Sequence, residues 1–250
     1  KLAKLQRPDI LLCPSGIAPL IFSGKIVVLL RNMNHLNTGI KWNWSQVVRL
    51  GLLKYVVMFS AHRADRVVYV SRASSIQYGV EMKIPESKSR VVYHGISELF
   101  STSKNGCTVS KSWVGKPYIL SVSSIYRYKN FHTLINAYGQ LVARGEMQHD
   151  LVVAGKNLDE PYYQELLADI EKLDLSNRIH LLGEVPYTQI SQLYQDSVLF
   201  VFPSYLESFG HPLLEAMQAG VAILAADIEV SREIAADGAE YFEPMDSNAL

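Results

Sequence analysis

Short apolar runs alternate with stretches of helical periodicity along most of this chain. Runs at 9–12, 26–30, 67–70, 90–93, 118–122, 150–154, 178–182, 198–202 and 221–225 are too continuously apolar for strands with one wet face, so they predict a parallel sheet covered on both sides. Amphipathic patterns at 45–63, 131–144, 160–173, 187–196 and 212–219 predict the helices between them. Strand, helix and strand in succession give βαβ units, hence an α/β fold. The opening "KLAKLQRPDILLCPSG" reads like the middle of a domain, with Ile10–Leu12 a buried strand and Pro14, Ser15 and Gly16 its turn.

The rhythm breaks once, at "ISELFSTSKNGCTVSKSWVGKP", where small and polar residues replace the apolar periodicity. This predicts a partial Rossmann-like domain over 1–100, a linker over 101–115 and a second Rossmann-like domain over 116–250. Two such domains facing each other would place a ligand in the cleft, at the carboxyl ends of their strands.

Composition narrows the partners. Lys plus Arg and Asp plus Glu both number 24, so no global field draws the chain to nucleic acid. Cys13 and Cys107 are too isolated for a disulfide framework or a zinc knuckle, which fits a reducing compartment and a cytoplasmic location. The apolar runs "KIVVLL" and "GLLKYVVMFS" fall short of the roughly 20 residues that span a bilayer.

The densest chemistry lies in "PSYLESFGHPLLEAMQAG", where Glu207 and Glu215 are separated by seven residues. "SVLFVFPS" ends a strand at Pro203 and Ser204, and Pro212 suits the first turn of a helix that Gly220 stops. This predicts Glu215 in the first turn, beside amides and a positive dipole end that suit phosphate. A carboxylate there can accept from two adjacent ribose hydroxyls, and a second carboxylate one loop away can do the same for an attached sugar. Taken alone, the two glutamates suit a dipole complement and a solvated loop residue better than a site.

The surrounding residues make the pattern specific. "FPSYLESFGHPLLEAMQAG" is similar to the E-x7-E signature of the retaining family-4 glycosyltransferases (glycosyl transferases group 1), whose GT-B architecture pairs two Rossmann-like domains. "YILSVSSIYRYKNFHTLINAY", "LVVAGKN" and "IHLLGEVPYTQISQLYQDSVLFVFPS" resemble successive parts of that family's donor domain, and "ADRVVYVSRAS" and "SRVVYHGISELF" the end of its acceptor domain. The resemblance implies a metal-independent hexosyltransferase with no cofactor, taking a UDP- or GDP-sugar donor and a glycan or lipid-linked acceptor in polysaccharide or lipopolysaccharide assembly. It implies that Glu215 binds the ribose, that Glu207 contacts the transferred sugar, and that Lys129 stabilises the leaving diphosphate. Ser204 and the backbone around Phe209, Gly210, His211 and Leu213 would meet the sugar and pyrophosphate, and Val185 would meet the base.

The family usually has Gly-Arg in the first donor loop, where this chain has Ser123 and Ser124; Arg127 either replaces that cation or is a solvated loop residue. The histidine that many relatives place after an acceptor-domain strand has no counterpart in Arg31, Asn32, Met33 and Asn34. His35 reads as a loop residue, His62 as a helix-surface residue and His94 as structural. There is no D-x-D pair, and no histidine sits at metal-ligand spacing, so no metal is expected.

The segment 41–63, with Trp42 and Trp44 among Lys41, Arg49, Lys54 and Arg63, suits either an ordinary packed helix or a contact with the inner face of the cytoplasmic membrane. The family's first strand and closing helices are not represented, so a chain truncated at both ends with weak or absent turnover is expected. The alternative function is a non-catalytic GT-B module that binds a nucleotide sugar or a partner protein.

Overall fold

The computed structural model describes residues 8–33, 35–36, 44–97 and 116–250. The expected linker at 101–115, Lys41 and Trp42 lie outside the described residues. The chain divides into two compact units: the described part of Lys1–His94 together with Glu207–Phe209, and the described part of Gly95–Leu206 together with Gly210–Leu250.

The first unit holds β1 (Ile10–Cys13), β2 (Lys25–Leu30), α1 (Trp44–Arg63), β3 (Arg66–Tyr69), α2 (Arg72–Met82) and β4 (Ser89–Val91). Its four strands are parallel, in the order β1-β2-β3-β4. Val28, Val67, Tyr69 and Tyr78 are fully buried within it. The expectation of a buried first strand fails for Ile10 and Leu12, which are exposed. In the described sheet β1 is an edge strand that pairs only with β2. Helix α2 was not expected: "RASSIQYGVEM" has Gly79 and too few large apolar residues to show periodicity. It starts because Ser71 and Ser74 cap each other's backbone amides.

The second unit holds β5 (Tyr118–Val122), α3 (Phe131–Ala143), β6 (Asp150–Ala154), α4 (Glu160–Lys172), β7 (Ile179–Gly183), α5 (Tyr187–Asp196), β8 (Ser197–Phe202), α6 (His211–Ala219), β9 (Ile223–Ala226), α7 (Glu229–Ala235) and β10 (Glu240–Phe242). The six strands are parallel, in the order β10-β9-β8-β5-β6-β7. Strand alternation divides β5 between two cores. Ile119 joins the α3 and α4 side chains Ile135, Tyr138 and Leu166, whereas Tyr118 and Leu120 join Leu193, Tyr194, Leu213 and Ala216 of α5 and α6. The two short elements α7 and β10 were not expected, being too brief for a periodic signal.

Candidate functional site

The chain runs outward through β5, β6 and β7, then returns to the other side of β5 to begin β8. The loops leaving the carboxyl ends of β5 and β8 therefore diverge, and a doubly wound sheet binds ligands at this kind of crevice. Two bonds join the loops: Tyr205 N donates to Tyr128 O at 3.2 Å and Asn130 Nδ2 donates to Pro203 O at 3.1 Å. Asn130 is buried with φ 61°, a conformation asparagine tolerates better than most residues, and its Oδ1 accepts from Thr133 Oγ1 at 2.8 Å.

The loop after β5 is held against the turn after β6. Ser123 N donates to Ala154 O at 3.0 Å and Ile125 N to Lys156 O at 2.8 Å. A Cβ on Gly155 would lie 1.8 Å from Ser123 O and 2.9 Å from Ser124 N, so only glycine allows the two backbones to approach this closely. The sequence alone did not single out Gly155.

A 3₁₀ turn, Arg127–Lys129, follows. Arg127 forms a two-pronged ion pair with Glu165, at 2.8 and 2.7 Å, and its guanidinium lies 4.8 Å from the centre of the Tyr162 ring. Hydrogen bonding to Glu165 raises the guanidinium's pKa further, and the same bond holds the Glu165 carboxyl below the usual range. Lys129 Nζ sits 5.3 Å from the centre of the Tyr128 ring, which stacks on Tyr126.

Helix α6 begins at His211, with Gly210 as N-cap at φ 82° and no side-chain cap. That conformation, rather than ligand approach alone, accounts for a glycine here. Pro212 lies in the first turn as expected, whereas Glu215 lies in the second, because the helix starts at His211. Side chains lean toward a helix's N-terminus, so the Glu215 carboxylate still reaches back along α6. It is buried, and Tyr187 Oη donates to Oε1 at 3.2 Å and Tyr194 Oη to Oε2 at 3.0 Å. Burial pushes the Glu215 carboxyl above its ordinary range, against the hydrogen bonds from Tyr194 and Tyr187. Tyr187 is in turn pushed up to about 12 by burial and the adjacent carboxylate. A buried carboxylate gripped by two phenols is not a mere complement to a helix dipole. The tyrosines stand seven residues apart on α5, two turns along one face, and that spacing is the signal that could have found them.

The structure thus brings Ser124, Arg127, Lys129, Ser204 and Gly210 to the carboxyl-end loops of the second sheet, His211, Leu213 and Glu215 to the first two turns of α6, and Val185 to the loop after β7. Ser204 is buried and its hydroxyl has no hydrogen-bond partner among the described residues. Leu213 sends its side chain into the core, so its amide, which donates to Gly210 O at 2.9 Å, is the part of it at the helix start. Glu207 and Phe209 belong to the first unit. There, Ser71 Oγ donates to Ser208 O at 2.7 Å, Ser208 Oγ donates to Arg31 O at 2.8 Å, and the Phe209 ring meets His94 edge-on at 5.1 Å. His35 lies in a turn, as expected of a loop residue, and is buried there. Among the described residues no three His, Cys, Asp or Glu side chains cluster as metal ligands.

A family model described as glycosyl transferases group 1 matches residues 109–250. The chain belongs to this family. Among curated relatives, the serotype-specific mannosyltransferase WbdA of Escherichia coli is 35% identical over 192 residues, 76% of this chain and 21% of that protein. The O-antigen chain mannosyltransferase RfbU of Salmonella typhimurium is 24% identical over 196 residues, 78% of this chain, so the chain spans 52% of the length of that relative. Among solved structures, Anabaena Alr3699/HepE in complex with UDP and glucose superposes with a TM-score of 0.73 at 23% identity, covering 90% of this chain and 60% of that one. WaaG, a glycosyltransferase involved in lipopolysaccharide biosynthesis, gives a TM-score of 0.74 at 16% identity, covering 99% and 68%. The fold of this glycosyl transferases group 1 member is accordingly α/β, with Rossmann-like units of the GT-B class.

Proposed function

We propose that this chain carries the donor-binding machinery of a retaining glycosyltransferase that moves a hexose or N-acetylhexosamine from a UDP- or GDP-sugar to a glycan or lipid-linked acceptor in cell-surface polysaccharide assembly. The observation that carries the proposal is the buried Glu215 carboxylate beside the uncapped start of α6, at the switch point of the second sheet. In this reading the donor ribose displaces the exposed Tyr187 hydroxyl and hydrogen-bonds Glu215, while Tyr194 keeps the carboxylate in place. The diphosphate lies against the α6 amides and Lys129, with the Ser123–Ser124 loop held in position by Gly155. Glu207 contacts the transferred sugar and Val185 the base. The acceptor hydroxyl approaches on the face the diphosphate leaves, and a leaving phosphate oxygen takes its proton, so the protein's work is positioning and charge stabilisation.

The mannosyltransferase names of the curated relatives favour a hexose donor and an O-antigen-type acceptor. Membrane contact through 41–63 is supported by α1, where Trp44, Val47, Leu52, Tyr55 and Phe59 are exposed. No helix among the described residues is long and apolar enough to cross a membrane. The deciding experiment is a transfer assay with labelled UDP- and GDP-sugars and a glycan primer, with and without EDTA, scoring product anomers by NMR. The reading requires an axial-to-axial or equatorial-to-equatorial product, unaffected by EDTA and abolished in Glu207→Ala with nucleotide binding kept. An inverted anomer or an EDTA-dependent rate would overturn it. Absence of transfer by any longer form of the protein, alongside intact nucleotide binding, would favour the binding module.

A further inference from the structure

Glu207, Ser208 and Phe209 lie between Leu206 and Gly210 in the sequence, yet they pack with the first unit. There they are held at the carboxyl ends of three adjacent strands. Ser208 Oγ donates at 2.8 Å to the carbonyl of Arg31, the residue after β2. Ser71, just after β3, donates through Oγ to Ser208 O at 2.7 Å. Tyr93 and His94, just after β4, flank the buried Phe209 ring at centroid distances of 6.3 and 5.1 Å.

The cap of α2 does not require this contact. Ser71 Oγ accepts the Ser74 amide at 3.0 Å, and Ser74 Oγ, 2.9 Å away, is an acceptor for the Ser71 hydroxyl proton within the helix itself. A serine has one hydroxyl proton, so the 2.7 Å bond to Ser208 O takes the proton with which the cap could close on itself. Ser71 and Ser74 are fully buried, so water does not compete for that proton. The peptide that accepts it joins Ser208 to Phe209, and Glu207 stands immediately before. The half-buried Glu207 side chain therefore starts from a backbone held by the first unit, whereas Glu215 and the α6 amides belong to the second. Groups that act on a reacting centre depend on such support, since a misplacement of about 1 Å costs on the order of 100-fold in rate.

We propose that Ser71 and Ser208 are positioning residues for the transferred sugar: by fixing the Glu207–Phe209 segment on the strand ends they place the Glu207 carboxylate, and they take no part in holding the nucleotide. The assignment rests on the donor reading of Glu207 above. The test is calorimetric titration of wild type, Glu207→Ala, Ser71→Ala and Ser208→Ala with UDP, UDP-glucose, GDP and GDP-mannose, reading the affinity of each conjugate relative to its bare nucleotide, with thermal melts alongside. Glu207→Ala is expected to lower that ratio on the order of 10-fold, and Ser71→Ala and Ser208→Ala about 2- to 10-fold each, while all four proteins bind bare nucleotide equally. A serine that serves the fold alone would lower the melting temperature and leave the ratio as it is. Ser71→Ala also loses the α2 cap and should melt lower, whereas Ser208→Ala keeps the cap, so a fall in ratio shared by both is not an effect of folding. A lowered ratio in Glu207→Ala beside a wild-type ratio in Ser71→Ala, or in Ser208→Ala should Ser71→Ala not fold, overturns the positioning role and leaves the donor reading standing. A wild-type ratio in Glu207→Ala itself, or no nucleotide binding by the folded wild-type chain, removes the donor reading and the positioning role with it.

Discussion

Replacing Gly155 with alanine forces two backbones apart at the candidate site. The new methyl carbon would stand 1.8 Å from Ser123 O and 2.4 Å from Ser123 C, where side-chain carbons essentially never come within 3.0 Å, so the strands must separate by at least 3.0 − 1.8 = 1.2 Å. The atoms in the way are backbone, in a segment whose Ser123 and Ile125 amides are already bonded to Ala154 O and Lys156 O, and cannot rotate aside. Overpacking of this kind costs about 1–3 kcal/mol, equivalent to a fall of roughly 2–12 °C in melting temperature for a chain of this size. The functional effect is larger, because a displacement of about 1 Å in a positioning loop costs on the order of 100-fold in rate. Gly145→Ala is the control: its φ of 74° strains alanine but nothing lies within 4 Å. Both variants should melt lower in scanning calorimetry, and only Gly155→Ala should weaken UDP or GDP binding in a calorimetric titration. Wild-type nucleotide affinity in Gly155→Ala, or an equal loss in Gly145→Ala, would refute the argument that Gly155 holds the Ser123–Ser124 loop in place.

Further outcomes follow from the charges. A carboxyl with a native pKa raised by burial, as in Glu215, holds its proton more tightly when folded, so its contribution is favourable below the unfolded pKa and is lost as pH rises through the folded one. Glu215→Gln should therefore melt higher than wild type at pH 7, with the gap closing below about pH 4, while binding nucleotide roughly 10- to 100-fold more weakly; thermal melts across pH and a UDP titration check both. The Asp150 carboxyl is held below its usual range by bonds from His180 at 3.0 Å and Arg178 at 2.8 Å, which outweigh its partial burial. Asp150→Asn should cost about 1–3 kcal/mol at pH 7 in a denaturant melt, and the difference should vanish as pH falls through the depressed native pKa. Glu165→Ala, which releases Arg127 from a mostly exposed pair, should change stability by less than about 1 kcal/mol yet tighten UDP or GDP binding; unchanged affinity would assign Arg127 to the surface.

The strands of the second sheet were legible because β5, β6 and the Phe200–Phe202 end of β8 are buried on both faces and leave unbroken apolar runs such as "VLFVF". Helix α2 was hidden, since two mutually capping serines replace an apolar stripe. The two glutamates could be read from spacing and from Pro212, but the depth of Glu215 in α6 depended on where the helix starts. Its partners Tyr187 and Tyr194 were visible as a seven-residue repeat whose target was not. Arg127 shows the limit: its partner Glu165 is thirty-eight residues away on α4, and only the fold brings them to 2.7 Å. His35 shows it too, because burial of a polar ring between α2 and the strand ends has no local signature.

The most direct test of the donor-binding claim is calorimetric titration of the chain with UDP, GDP and their hexose conjugates, with and without EDTA, beside Glu215→Ala. The account predicts selective binding of one nucleotide series, insensitive to EDTA, and weakened by roughly 30- to 1000-fold when the carboxylate's two hydrogen bonds to the ribose hydroxyls, about 2–4 kcal/mol, are removed. Binding that survives Glu215→Ala undiminished, or no binding to either series by the folded chain, would contradict it.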